Sequence, residues 1–76
     1  MRVPHEVQLL IWVPKVAEFF VQNIIESYDG LATILSTKVR GEEVELITST
    51  SAPFDAKLQK ILEDLGHLGL RYQKCD

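Results

Sequence analysis

The chain is 76 residues long, enough for one small domain, and we expect residues 1–76 to form it. Hydrophobic residues make up 46% of the sequence and the scattered charges sum to −3, which indicates a globular domain and argues against nucleic acid as a partner. The longest largely apolar run, Val7 to Val13, contains Gln8, stops at Pro14 and is far shorter than the roughly 20 residues that cross a bilayer, so the sequence predicts no membrane segment.

A strand and a helix are predicted at the start of the chain. Residues 6–13 have the β-rich composition of a strand, in which one face points to the core and the other points outward. The predicted inward residues are Val7, Leu9, Ile11 and Val13, and the outward ones are Glu6, Gln8, Leu10 and Trp12. Pro14 is a helix-start signal and Gly30 a helix stop. The predicted apolar stripe of this helix contains Val16, Ala17, Phe20, Val21, Ile24 and Tyr28.

Two β-branched segments, 31–39 and 42–49, are predicted to form a hairpin joined by Arg40-Gly41. A two-residue loop at this place fixes the register, because it decides which residues of the two strands lie opposite each other. The predicted pairs are Leu35 with Leu46 on the core side, Ile34 with Ile47 on the outward side, and Lys38 with Glu43.

A second helix and a fourth strand complete the predicted domain. Residues 49–51 offer a helix N-cap before Pro53, and Gly66 ends the helix. The apolar stripe of this helix contains Phe54, Leu58, Ile61, Leu62 and Leu65. Residues 68–73 alternate again, and the predicted strand turns Leu68, Leu70 and Tyr72 toward the core.

The order of these elements, βαββαβ, predicts an α+β fold of the ferredoxin-like split type. Right-handed crossovers leave a gap inside each βαβ unit, and a strand of the other unit fills it. We therefore expect an antiparallel sheet in the order 4-1-3-2 with both helices on one face. The other face must then meet solvent or a partner.

An apolar band is predicted on that open face, formed by Leu10, Trp12, Ile34 and Ile47. Contiguous apolar surface of this kind often marks an interface, so these four residues are the candidate site. The alternative is that the C-terminal tail or a loop covers Trp12. Phe19 falls outside the stripe of the first helix, and we expect it to pack over a neighbouring loop.

No catalytic, cofactor-binding or metal site is predicted, and the chain is not expected to be an enzyme, since it contains none of the common phosphate-loop, metal or nucleophile motifs. His5 and Cys75 should approach each other where antiparallel strands one and four meet, but two ligands are fewer than a structural zinc site needs. Glu43 and Glu45 lie about 7 Å apart along a strand, a spacing compatible with paired catalytic carboxylates. A solvated, solubilising face is the favoured interpretation of this pair.

The run from Ile24 to Ala32, set after a strand that ends in Val13-Pro14, resembles a bacterial family known as domain of unknown function 4911, and the likeness spans most of the chain. Tyr28 closes the helix stripe and Gly30 permits the exit turn, so the shared motif is structural and the resemblance implies no activity. More distantly, the layout is similar to amino-acid-binding ACT regulatory domains, which associate through their sheets. Those domains tend to place a glycine after strand one, whereas a proline and a lysine follow it here.

The sequence favours a binding or assembly module that forms homo-oligomers through the open face, because small apolar domains often gain stability from association. The alternative is an ACT-like regulatory domain that binds a small-molecule effector, and a protein partner is a further option. No cofactor is expected. The single cysteine, Cys75, leaves no internal disulfide, and the N-terminus lacks a secretory signal, so we expect a cytoplasmic protein. The resemblance to domain of unknown function 4911 implies a bacterial one.

Overall fold

Four strands and two α-helices follow one another in the computed structural model, which describes residues 6–28, 30–51 and 54–75. The elements are β1 (Glu6–Pro14), α1 (Glu18–Ser27), β2 (Thr33–Arg40), β3 (Glu43–Ser51), α2 (Phe54–Asp64) and β4 (Arg71–Cys75). A 3₁₀ turn precedes α1 at Lys15–Ala17, and another follows α2 at Gly66–Leu68. The prediction of a small α+β fold with four strands and two helices is confirmed.

The strands form one sheet in the order β2-β3-β1-β4, and every neighbouring pair is antiparallel. The central pair, β1 with β3, is the longest, because it continues without a break from Glu6 opposite Ser51 to Pro14 opposite Glu43. The other two strands attach to the outer sides of this pair, so the central pair determines which side chains share a face.

The core lies on one side of the sheet. Alternate residues of the two central strands are fully buried there, as are two residues one turn apart on each helix, and together they form a single cluster. Its fully buried members are Leu9, Ile11, Val13, Val21, Ile25, Val44, Leu46, Leu58 and Leu62. Because side chains of both helices belong to this cluster, both helices pack on the same side, and neither lies over the other face.

Two buried threonines of β3 use their hydroxyls to tie the core to neighbouring backbone. Thr48 Oγ1 donates to the carbonyl oxygen of Leu9 at 3.1 Å, and Thr50 Oγ1 donates to that of Leu31 at 2.6 Å. Across the described ranges, no buried side-chain nitrogen or oxygen lacks a hydrogen-bond partner. The core therefore tolerates these polar side chains at little cost.

The phase of the first helix differs from the prediction. Val21 and Ile25 are its buried residues, whereas Val16 is 99% exposed and Phe20 and Tyr28 are also largely in contact with solvent. The reason is the 3₁₀ turn at Lys15–Ala17: it winds more tightly than an α-helix, so a stripe counted from Pro14 at α-helical spacing runs out of phase.

The predicted hairpin register is wrong. The loop is Gly41-Glu42, because Gly41 has a φ of +65° and takes the first loop position, where a primed turn requires a positive φ. Glu45 is consequently the partner of Lys38, and a bulge at Leu35 shifts the register again. Beyond the bulge Ile34 lies opposite Thr48 and packs against the core, so its predicted pairing with Ile47 is also wrong. The other two predicted pairings are wrong as well, because Leu46 lies opposite Thr37 and Glu43 lies opposite Arg40.

The fourth strand begins three residues later than predicted, at Arg71, because residues 66–68 form a 3₁₀ turn and Gly69 adopts a φ of +86°. A side chain at Gly69 would meet Pro14. Cys75 consequently lies inside β4, opposite Gln8, instead of beyond the strand.

Leu62 has no exposed surface, so its truncation tests the packing of α2 on the sheet. We expect Leu62→Ala to lower the free energy of unfolding by about 2 to 5 kcal/mol, through lost burial and the cavity that remains. The matched control is Phe19→Ala, which removes a larger apolar side chain that is 75% exposed and should change stability by less than about 0.5 kcal/mol. Urea denaturation measures both; equal effects would show that α2 does not pack as described.

Candidate functional site

The open face is the side of the sheet away from the two helices. Side chains reach it from every second position of the strands, starting with the residues of β1 that alternate with its core residues. Its main members are Gln8, Leu10 and Trp12 on β1, Glu43, Glu45, Ile47 and Ser49 on β3, Lys38 and Arg40 on β2, and Arg71 and Gln73 on β4.

Three apolar side chains form the centre of this face. Leu10 lies directly opposite Ile47 across the central strand pair, and Trp12 follows Leu10 on the same face of β1. All three are half-buried, although neither helix covers them. We call Leu10, Trp12 and Ile47 the apolar centre. Three of the four predicted interface residues are thus together, and Ile34 is not among them.

Leu35 stands close to the position that Ile34 was predicted to fill. It is the extra residue of the β2 bulge, next to the pairing of Ser36 with Ile47, and it is 51% exposed. The sequence places two apolar residues, Ile34 and Leu35, next to each other, and it does not decide which of them faces the core or that a bulge lies between them.

Arg71 covers part of the indole. It lies opposite Trp12 on the neighbouring strand, and its guanidinium carbon is 5.0 Å from the centre of the Trp12 ring, within the range of a cation–π interaction. Beyond the indole, Arg71 Nη2 donates to Glu43 Oε1 at 3.0 Å and to Glu43 Oε2 at 3.2 Å. The arginine side chain therefore starts on β4, passes Trp12 on β1 and ends at a carboxylate of β3.

The second carboxylate of the candidate pair also has an arginine partner. Glu45 Oε2 lies 3.5 Å from Arg40 Nε, and Glu45 is opposite Lys38 in the sheet. With Glu43 held by Arg71, both carboxylates of the pair considered for catalysis are engaged in ion pairs. This geometry favours the interpretation of Glu43 and Glu45 as part of a charged surface around the apolar centre.

A second exposed apolar region lies at the start of α1. Val16, Phe19 and Phe20 are 99%, 75% and 55% exposed. Phe19 does not pack over a loop as expected. The sequence held a signal for this region, since one narrow helix face cannot bury these three residues together with Val21 and Ile25.

A shallow cleft of about 360 Å³ opens at the end of the sheet where β2 begins and β3 ends. Its walls are mainly hydroxyl side chains and backbone, and Ser49 Oγ donates to Glu6 Oε2 at 2.6 Å at its rim. The junction of β1 with α1 is at the opposite end. There Lys15 N donates to the carbonyl oxygen of Glu42 at 2.9 Å, which joins this junction to the hairpin loop.

The predicted proximity of His5 and Cys75 lies outside the described residues, because His5 is not among them. Cys75 itself is half-buried and not in a disulfide. Within residues 6–28, 30–51 and 54–75, no group of three or more histidine, cysteine, aspartate or glutamate side chains could hold a metal ion.

Tyr72 is the residue whose ionisation the fold perturbs most clearly. Partial burial raises the pKa of its phenol above the ordinary value, and a hydrogen bond to Glu63 together with the charge of that carboxylate adds to the rise. Tyr72 Oη donates to Glu63 Oε2 at 2.9 Å, which links β4 to α2. The contact is on the helix side and does not touch the apolar centre.

In comparisons with known proteins, no protein family, curated protein or solved structure matches the chain. The resemblance to domain of unknown function 4911 and the similarity in layout to ACT domains therefore stay predictions. Within the described part of the chain, neither helix has the length and apolar character needed to cross a membrane.

The raised pKa of Tyr72 can be measured directly in Tyr28→Phe, which leaves Tyr72 as the single tyrosine. We expect the midpoint of its absorbance titration to lie at a higher pH than that of a free tyrosine. Glu63→Gln in the same background should lower this midpoint. Tyr72 ionises at lower pH in the unfolded chain than in the folded protein. Its contribution to the free energy of unfolding is therefore complete below the ordinary tyrosine pKa and is lost as the pH rises through the folded-state pKa. A titration unaffected by Glu63→Gln would contradict the described contact.

Proposed function

We propose that this protein is an assembly module that forms homo-oligomers by packing its open face against the same face of a second copy. The observation that carries the proposal is the apolar centre: Leu10, Trp12 and Ile47 lie side by side on a sheet face that neither helix covers. Apolar sheet faces without a covering layer are normally buried against another layer.

The size of the face supports a weak but specific contact. Four strands about 4.8 Å apart and about eight residues long, at about 3.3 Å per residue, span roughly 19 by 26 Å. Two such faces bury on the order of 1,000 Å² in total, the lower limit for a specific protein interface. We therefore expect reversible association that depends on protein concentration.

The sheet edges support the choice of a face over an edge. The exposed edge strand β2 carries a bulge at Leu35 and the charged residues Lys38 and Arg40, and the other edge, β4, is only five residues long. Bulges, edge lysines and short edge strands are the usual means by which proteins prevent pairing through sheet edges.

The ferredoxin-like split βαββαβ fold is part of the proposal. The strand order and the shared core of both helices support it. Two contacts of α2 also support it, one from Tyr72 of β4 to Glu63 and one from Lys57 to Tyr28 at the end of α1. Such folds carry unrelated functions, so the functional argument rests on the surface and not on the fold.

A small-molecule effector is the second candidate function, and the hydroxyl-lined cleft favours it. The cleft volume suits a ligand of amino-acid size. The cleft lies at the opposite end of the sheet from the loop after strand one, which an ACT-like domain would use. That loop lies beside the hairpin loop, to which Lys15 N is bonded through the carbonyl oxygen of Glu42. A ligand would therefore bind beside Glu6, Thr33 and Ser49.

Ile47→Lys tests the proposed interface, because it places a charge at the middle of the apolar centre. We expect it to weaken self-association at least about tenfold, since an unpaired charge in a desolvated contact is costly. Sedimentation velocity over a range of concentrations measures the change. Phe19→Lys is the matched control: it makes the same type of change at the exposed start of α1 and should leave association unchanged.

Both variants must first show the thermal unfolding transition of a folded domain. If Phe19→Lys abolished association and Ile47→Lys did not, the interface would be the start of α1, and the open-face proposal would be wrong. A wild-type chain that stayed monomeric at every accessible concentration would also refute it.

A thermal-shift screen against amino acids, nucleotides and metal ions tests the second candidate function. A saturable rise in melting temperature would identify a ligand, and Ser49→Ala should abolish that rise if the ligand occupies the cleft. If no compound in the screen raises the melting temperature, the assembly proposal is favoured over the effector proposal.

A further inference from the structure

We propose that Arg71 is a removable cover of Trp12, and that its ion pair with Glu43 limits how tightly two copies of the chain associate. This inference rests on the proposed function, and it adds a control element to the same face. In the protomer the guanidinium group occupies the surface of the indole that a second copy would have to contact.

The cover is held at two places. Its guanidinium group lies over the indole with the 5.0 Å separation described above, and the same group is anchored beyond the indole by two hydrogen bonds to the Glu43 carboxylate. Glu43 stands two residues before Glu45, the residue opposite Trp12 on β3. In this structure Arg71 reaches it by crossing the indole diagonally, so the ion pair and the coverage of Trp12 occur together.

The cover is also easy to open. The Arg71 side chain is 62% exposed and that of Glu43 is 38% exposed, so water and salt reach the ion pair. Exposed ion pairs are weak and are screened by salt. An arginine side chain has several rotatable bonds, so the guanidinium can swing off the indole without any change in the backbone of β4.

Trp12 is the residue of the apolar centre with most to contribute to an interface. Tryptophan is enriched among the residues that dominate binding energy. Such residues contribute most when the surrounding contacts exclude water. A guanidinium that stays on the indole keeps a charged, hydrated group at the middle of the contact. Opening the cover therefore precedes or accompanies tight packing of the two faces.

The inference predicts an unusual dependence on salt. Raising the concentration of sodium chloride weakens the Arg71 to Glu43 ion pair and frees Trp12, so self-association of the wild type should strengthen with salt. An interface held mainly by ion pairs between copies would show the opposite trend.

Arg71→Gln tests the cover with two independent measurements. Because Trp12 is the single tryptophan, quenching of its fluorescence by acrylamide reports the indole alone, and dilute samples report the separated protomers. We expect the quenching constant to rise about twofold and self-association at low salt to tighten about fivefold, as for the loss of one weak surface pair. The salt dependence of association should largely disappear.

Two control variants separate the cover from the effect of charge. Arg40→Gln removes the same charge from the same face and breaks the ion pair with Glu45, but it leaves Arg71 on the indole. It should change neither the quenching constant nor the salt dependence. Glu43→Gln removes the anchor and retains the arginine, so it should give an intermediate rise in quenching.

Each remaining outcome is decisive. Unchanged quenching in Arg71→Gln would show that the arginine does not cover the indole, and weaker association would show that Arg71 makes contacts with the partner; either result overturns the inference. If the wild type associates and Arg71→Gln associates equally well, the cover alone is refuted and the proposed function stands. If neither protein associates at any concentration, the proposed function fails and the cover fails with it.

Discussion

The antiparallel pairing of β1 with β3 is the constraint on which the rest of the structure depends. These two strands hold the centre of the sheet and supply most of the fully buried strand residues. Both outer strands attach to them, and both helices pack on the face that they define. Because side chains alternate along a strand, a shift of this pairing by one residue would exchange the core face and the open face. The same register that buries Leu9 and Leu46 thus presents Leu10 beside Ile47 on the other side.

Much of this arrangement could be predicted from the sequence, because β1 is an apolar segment of strand length that ends at a proline and the apolar residues of α2 recur at helical spacing. Leu10, Trp12 and Ile47 were placed on the open face by alternation alone, and the structure places them there. The errors share a physical cause. The phase of α1 and the start of β4 depend on 3₁₀ turns, and the turn of Ile34 toward the core depends on a bulge. Each is a local departure from a regular period, so the spacing of apolar residues does not reveal it.

The partner of Trp12 was beyond prediction for a different reason. Alternation predicts that Arg71 faces the same side as Trp12, but the path of its side chain depends on a choice among rotamers. That choice is made by Glu43, two strands away from β4 and far removed in sequence. Electrostatic contacts between long side chains of this kind are a property of the assembled sheet. The conclusion that the indole is partly covered therefore follows from the structure alone, whereas its outward direction follows from the sequence.

The two exposed apolar regions differ in the assemblies they could form. The open face is formed by side chains at fixed positions of the backbone ladder, so two copies can present the same surface to each other about a two-fold axis, and such a contact closes on itself. The start of α1 projects Phe19 into solvent from a helix that follows a 3₁₀ turn. A projecting side chain needs a matching recess on its partner, and contact between unlike surfaces adds copies without limit unless the geometry closes into a ring. The closed contact is the one on which the proposed function depends, because it limits assembly to a defined number of copies.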